Sequence, residues 1–218
     1  MYIIAELAGA DSLAAIYQHL KNNPDDIIIP TWVITPYELD GNYYLVKENY
    51  EEFFNFLKDK NYNIYPISIL ENDYDLWDKL IEKDFLSPCI ACHLYCHLRR
   101  IKLAMTFNAP ILTGERNNHN ADIKINQNDF VLNYFENLFK EYNLFFERPL
   151  LNIANSNEIQ NILKDLPFDC GDKNNFIGCS IKKGKFTKKD LDEEKFLEYL
   201  EKDLKPIVEE FIYDCMRE

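Results

Sequence analysis

The stretch Tyr2-Ile-Ile-Ala-Glu-Leu7-Ala-Gly-Ala-Asp-Ser12-Leu-Ala-Ala-Ile-Tyr17-Gln-His-Leu-Lys21 decides the fold class. Residues 2–7 form a short apolar run, the pattern of a buried strand. Residues 8–12 break that run with small and polar side chains. Leu13, Ile16, Tyr17 and Leu20 then recur at the spacing of one helical face. Strand, tight turn and helix in this order open an α/β sheet, because a strand feeding a helix returns as a parallel neighbour.

The alternation continues outward from this unit. Residues 26–35 read as a second, isoleucine-rich strand, and residues 50–58 as a helix with Phe53, Phe54 and Leu57 on one face. Residues 62–69 read as a third strand and 73–82 as a short helix carrying Leu76, Trp77 and Leu80. A helix opens near residue 87 and runs to about residue 107. Residues 109–113 give a fourth strand, 129–142 an amphipathic helix, 150–153 a fifth strand and 157–165 a further helix. Residues 168–186 read as irregular, and 189–216 as a long helix interrupted at Pro206. The prediction is an α/β fold: a mainly parallel sheet of about five strands with helices on both faces, plus a helical C-terminal region. Residues 1–165 form the α/β domain, and residues 166–218 an extension packed on that domain.

Composition narrows the class. The chain has 218 residues, 47% hydrophobic and 28% charged, the balance of a soluble globular protein. Its apolar runs reach about eight residues, far short of the ~18 that span a membrane. The N-terminus lacks the basic flank and cleavage site of a signal peptide, so a cytoplasmic protein with no membrane partner is expected. Lys plus Arg is 24 against 37 Asp plus Glu, a net charge of −13. That balance disfavours extended, non-specific binding of nucleic acid. Lys182, Lys183, Lys185, Lys188 and Lys189 form the densest basic patch, either a solvated loop or a local dock. Six cysteines are present, at 89, 92, 96, 170, 179 and 215. Without an export signal they are not expected to be a disulfide framework.

Residues 8–12 follow the first strand, and ligands of open parallel sheets sit beyond the carboxyl ends of the strands. The turn Ala8-Gly9-Ala10 exposes backbone N–H groups, and the helix after it presents its positive end to an anion. Ser12 can add a hydroxyl to a phosphate. Asp11 reads as the helix N-cap or as a ligand to a bridging Mg2+. An ordinary capped helix after a strand would look similar. The turn is not a Walker A loop, because no Gly-Lys-Ser/Thr follows.

Leu7-Ala-Gly-Ala-Asp-Ser12 resembles the Ser-Gly-Gly-x-Asp-Ser loop of the PP-loop ATP pyrophosphatase superfamily. Gly9, Asp11 and Ser12 are retained, while Leu7 stands for the serine and Ala8 for the first glycine. The resemblance implies that ATP binds here.

Ser87-Pro-Cys89-Ile-Ala-Cys92-His-Leu-Tyr-Cys96-His-Leu-Arg-Arg100 carries the second motif. A C-x2-C pair at the start of a helix can turn both thiolates to one metal, and the helix N-terminus lowers thiol pKa. Cys96 shares the face of Cys92, and His93 and His97 offer nitrogen. An iron–sulfur cluster, a structural zinc site and plain buried thiols all remain open from the residues alone. The segment is similar to that of the tRNA 2-thiolation branch of the same superfamily. There a C-x2-C pair and a distant cysteine hold a [4Fe–4S] cluster with one iron free of protein. The resemblance implies Cys89, Cys92 and Cys179 as ligands, with Cys170 and Cys96 as rivals for the third place. The additional zinc-finger cysteines of that branch are absent from this sequence.

Thr113-Gly-Glu-Arg-Asn-Asn-His-Asn-Ala-Asp-Ile-Lys124 follows the fourth strand, at the same edge of the sheet. Arg116 and Lys124 suit charge developing on pyrophosphate. Asp122 or Glu115 suits Mg2+, and His119 suits phosphate contact or proton transfer. A polar surface loop is the plain alternative. The superfamily's Gly-His-Asn-x-x-Asp motif is loosely similar: Gly114 and one acid match, while Glu115-Arg116 replaces His-Asn. Arg99 and Arg100 are read as facing the phosphates or as solvated. His19 is read as structural, Trp32 and Trp77 as core, and Cys215 as lacking a partner.

The resulting expectation is an ATP-dependent sulfur transferase that adenylates an acceptor and releases AMP and pyrophosphate. Asp11, Asp122 and Arg116 carry the chemistry, and Ala8, Gly9, Ala10, Asp11, Ser12, Gly114, Glu115 and Lys124 bind the nucleotide. Cofactors are ATP, Mg2+ and a [4Fe–4S] cluster, with zinc as the alternative metal. The acceptor is a tRNA or a small molecule; the sulfur donor is unnamed and a homodimer is left open. The competing classes are a zinc-containing ligase or amide-forming enzyme, a desulfurase, and a nucleotide-binding module without turnover.

Overall fold

Alternate side chains of a strand point to opposite faces of its sheet. In β1 (Tyr2–Glu6), Ile4 joins one core and Ile3 and Ala5 join the other. The computed structural model describes residues 1–36, 43–83, 88–117, 125–166 and 192–217. Within them, β1, β2 (Ile27–Val33), β3 (Asn63–Ile64), β4 (Ser68–Leu70), β5 (Ile111–Leu112) and β6 (Phe146–Glu147) form one sheet. Its order is β3-β2-β1-β5-β6, with β4 also on β2, and every pairing is parallel.

Helices cover both faces. On one lie α1 (Ala10–Asn22), α2 (Tyr43–Asp59) and α6 (Ser156–Leu163), which bury Leu13, Ile16, Phe53, Leu57 and Ile159. On the other lie α3 (Tyr74–Glu82), α4 (Pro88–Phe107), α5 (Asp129–Lys140), α7 (Glu193–Tyr199) and α8 (Lys205–Arg217). Asp73 and Asn128 cap α3 and α5 by accepting the N–H of Leu76 and Val131. No helix of the described residues is long and apolar enough to cross a membrane.

Three elements differ from the sequence reading. The third strand is split into β3 and β4 around Pro66, which has no N–H to donate to a ladder. From Ile64 to Ser68 the edge advances four residues while β2 advances three, Ile28 to Thr31, so the break accommodates an extra residue. The fifth strand is Phe146–Glu147 rather than 150–153: Pro149 stops it, and Leu150 is buried from a turn instead. The C-terminal helix continues through Pro206. Leu200–Leu204 widens into a π-helical turn in which the Lys205 N–H donates to the Leu200 carbonyl. That widening lets a residue without an N–H sit in a helix. Phe196, Leu200, Leu204, Val208 and Ile212 pack into the same core as α4.

Candidate functional site

The turn after β1 is held by Ser12. Its hydroxyl accepts the N–H of Ala8 (3.0 Å) and of Gly9 (3.1 Å) and donates to the Gly9 carbonyl (2.7 Å). Gly9 is therefore the N-cap of α1, and Asp11 lies in the first turn rather than at the cap. The Ser12 hydroxyl, expected as a phosphate donor, is 3% exposed and is bonded to its own loop. Asp11 Oδ2 lies 3.2 Å from Arg116 Nε. Arg116 also donates to the carbonyls of Ile153 (3.2 Å) and Ala154 (3.4 Å), so it joins the loop after β5 to the segment before α6.

Gly114 sits directly behind the turn. A Cβ there would fall 2.5 Å from the Asp11 carbonyl carbon and from Ser12 N. Only glycine allows this approach, because both neighbours are backbone. The Gly114 N–H in turn donates to Glu6 Oε2 at 3.4 Å.

Glu115 points away from solvent, onto α4. Its Oε1 lies 2.6 Å from His93 Nε2 and 2.8 Å from His97 Nε2. Its Oε2 accepts from Arg148 Nε (2.5 Å) and from the Thr113 hydroxyl (3.2 Å). Arg148 also donates to Glu136 at 2.6 Å. Burial alone would raise the Glu115 pKa, but His93 and His97 outweigh it and hold the carboxyl well below its usual range. Burial likewise opposes charge on His93, yet Glu115 raises its pKa; on His97 burial wins, helped by the neighbouring His93, and its pKa falls.

Cys89, Cys92 and Cys96 lie on the first turns of the same helix as thiols, each partly buried. The hydrogen bond from Cys92 is the largest influence on Cys96. It outweighs burial and, with Arg100, lowers the Cys96 pKa. Three soft sulfurs on one helical surface with a thiol held toward the thiolate form suit a thiophilic metal or cluster.

Both arginines after the cysteines are bonded to groups of the protein. Arg99 donates to Asp73 (3.0 Å) and to the Glu71 carbonyl (3.0 Å). Arg100 is buried, donating to Thr31 Oγ1 (2.9 Å) and the Cys96 carbonyl (2.6 Å), with Glu6 Oε1 3.9 Å away. His19 is structural, set between Asp26 Oδ2 (3.0 Å) and Glu147 Oε2 (2.9 Å). Trp32 and Trp77 are in the core. His119, Asp122, Lys124, Cys170, Cys179 and the lysine patch lie outside the described residues.

The structure thus brings together Asp11, Ser12, Gly114, Glu115, Arg116 and the cysteine helix. Sequence reasoning missed Glu6 and Arg148. Glu6 left one signal, an acid inside an apolar strand run. Arg148 left none, since it reaches Glu115 across 33 residues.

No family model matches the chain. An uncharacterised protein of Methanocaldococcus jannaschii, MJ0009, is 29% identical over 171 residues, 73% of this chain and 61% of that protein. A 4-thiouridine synthetase, solved in complex with RNA and with bound ATP, matches 97% of this chain and 53% of its own at 18% identity and a TM-score of 0.67. The U34-tRNA thiolase NcsA of Methanococcus maripaludis, solved with its [4Fe-4S] cluster, matches 100% of this chain and 71% of its own at 13% identity and a TM-score of 0.50. The chain therefore spans between half and two thirds of the length of the first two relatives. Over nearly its whole length the chain therefore has the fold of the 4-thiouridine synthetase and of the thiolase.

Proposed function

We propose that the chain is an ATP-dependent sulfur transferase. The observation that carries this reading is a continuous set of contacts. The phosphate turn abuts Gly114, Gly114 leads to Glu115, and Glu115 is gripped by His93 and His97 on the cysteine helix. The turn at residues 8–12 and the cysteine helix are thus joined through the loop after β5.

In this reading ATP lies over residues 8–12. The N–H groups of Ala8, Gly9 and Ala10 and the α1 terminus bind its phosphates. Ser12 releases the Ala8 and Gly9 N–H groups to the phosphate as it binds. Asp11 and Asp122 hold Mg2+, and Arg116 and Lys124 offset the charge on departing pyrophosphate. Glu115 fixes the loop that carries Gly114 and Arg116. An acceptor carbonyl oxygen of a pyrimidine base, in tRNA or free, attacks the α-phosphorus. The new O–P bond forms as the α–β anhydride breaks and pyrophosphate leaves. A sulfur nucleophile then attacks the activated carbon, the C–S bond forms, and AMP departs with the C–O electron pair. Cys89 and Cys92, with Cys179 as third ligand, would hold a [4Fe–4S] cluster. When bound, that group supplies an iron free of protein thiolate at which sulfur is carried. The 4-thiouridine synthetase bound to RNA and ATP supports the acceptor class and the nucleotide. The cluster of the thiolase supports the metal.

The test is a single-turnover assay without oxygen, with α-labelled ATP, Mg2+, sulfide and total tRNA. Equal amounts of AMP and pyrophosphate, with sulfur in the tRNA, are expected. The double variant Asp11→Ala, Ser12→Ala should lose ATP binding and leave metal content unchanged. Tight ATP binding with no AMP from tRNA or free bases would overturn the reading in favour of a non-catalytic nucleotide module.

A further inference from the structure

Helix α4 carries a second ligand set that the cysteines do not use. His93 and His97 are one helical turn apart, their rings 4.5 Å centre to centre, and both Nε2 atoms converge on Glu115 Oε1. These three donor atoms lie within 4.8 Å of one another. The side chains are 12%, 3% and 1% exposed.

The hydrogen-bond pattern at this point does not close with neutral groups alone. His93 Nδ1 is 2.9 Å from the Asn126 carbonyl oxygen, which can only accept, so Nδ1 carries the proton. In the neutral ring His93 Nε2 then presents a lone pair to Glu115 Oε1 at 2.6 Å. Either a proton, as in an imidazolium–carboxylate pair, or a metal ion bound by both atoms closes that contact. The outer contacts match those of a ligating set: a carbonyl orients one imidazole, and Arg148 and Thr113 hold the far carboxylate oxygen, leaving Oε1 to the site. His97 Nδ1 is buried with no hydrogen-bond partner among the described residues.

We propose that His93, His97 and Glu115 bind a single divalent transition-metal ion, separate from the metal held by the cysteines. Two imidazoles and one carboxylate favour Zn2+, Fe2+ or Co2+ over Mg2+ or Ca2+. Three protein ligands leave a coordination position for water or an incoming ligand, as in catalytic rather than structural sites. The site does not rest on the sulfur-transfer reading: its ligands are nitrogen and oxygen, and it stands if no cluster is bound.

The test uses the whole 218-residue chain stripped of metal, in which Cys89, Cys92 and Cys96 are all replaced by alanine. Cobalt(II) is titrated in and its d–d absorption recorded, followed by displacement with Zn2+ and metal analysis. About one Co2+ per chain, with nitrogen–oxygen bands and no thiolate charge-transfer band, is expected. Adding His97→Asn should abolish the bands. Arg148→Lys, which leaves all three ligands in place, should weaken affinity about 10–100-fold. Circular dichroism checks that each variant is folded. A folded cysteine-free protein that takes up no cobalt would overturn the site. So would cobalt affinity unaltered by His97→Asn, since a proton then fills the gap beside Glu115.

Discussion

A methyl group at residue 114 would meet the backbone of Asp11 and Ser12 at 2.5 Å, and backbone cannot swing aside as a side chain does. Gly114→Ala should therefore displace the turn at residues 8–12. Overpacking of this kind costs about 1–3 kcal/mol, read as a lower melting temperature together with weakened ATP binding. Unchanged affinity would separate the two loops functionally. The two adjacent arginines of α4 give a contrast. Arg100 is 1% exposed beside Glu6, so Arg100→Ala leaves a carboxylate with lost compensation and should destabilise by roughly 3 kcal/mol. Arg99 and Asp73 are 22% and 30% exposed, and Arg99→Ala should cost about 1 kcal/mol or less. Urea denaturation of both variants checks the ranking. The sequence does not distinguish the two arginines, because their difference lies in which side of α4 the sheet covers. Gly114, by contrast, was legible through its motif, although the contact that demands glycine was not.

At the scale of elements, His19 ties α1 to the start of β2 and to β6 through Asp26 and Glu147. Burial opposes its charge, but the hydrogen bonds to Glu147 and Asp26 outweigh burial, so its pKa is raised above 6.5. A raised histidine contributes stability in full below about pH 6.5 and loses it as pH climbs through the folded pKa. Asp26 has the opposite sign. Burial works against its ionisation, but the terminal amine and His19 lower its pKa, so its contribution is present above about pH 3.8 and lost in acid. The melting temperature of the wild type relative to His19→Gln should be highest near pH 5.5–6.5 and shrink toward pH 8–9. A difference constant across that range would contradict the pairing. Elements with a strong period were legible: β1, α1, β2, α3 and α5 lie where their apolar spacing puts them. The strand broken at Pro66 and the π turn before Pro206 were not. At Pro66 the strand stops and resumes two residues later, whereas at Pro206 a widened turn keeps the proline inside the helix.

The whole molecule carries a net charge of −13, yet it gathers arginines and histidines around Glu115, Glu6 and Asp11 at one sheet edge. The motifs that mark this edge, residues 8–12, 89–97 and 113–116, each stand out in the sequence by residue type and spacing. Their mutual contact does not, because it is made by the parallel crossovers that bring the ends of β1 and β5 side by side. If those motifs form one site, the thiols should bind iron as a set. Cys89→Ala or Cys92→Ala should remove the iron, and Cys215→Ala should not. Loss from Cys179→Ala and retention in Cys96→Ala would fix the third ligand as the distant cysteine; the reverse would place it on α4. The measurement that reaches the central claim most directly is iron, acid-labile sulfide and zinc assayed on one sample purified without oxygen. About four iron and four sulfide per chain are predicted for a three-thiolate cluster beside the nucleotide loop. Zinc with no sulfide would contradict sulfur transfer and leave an ATP-dependent ligase in its place.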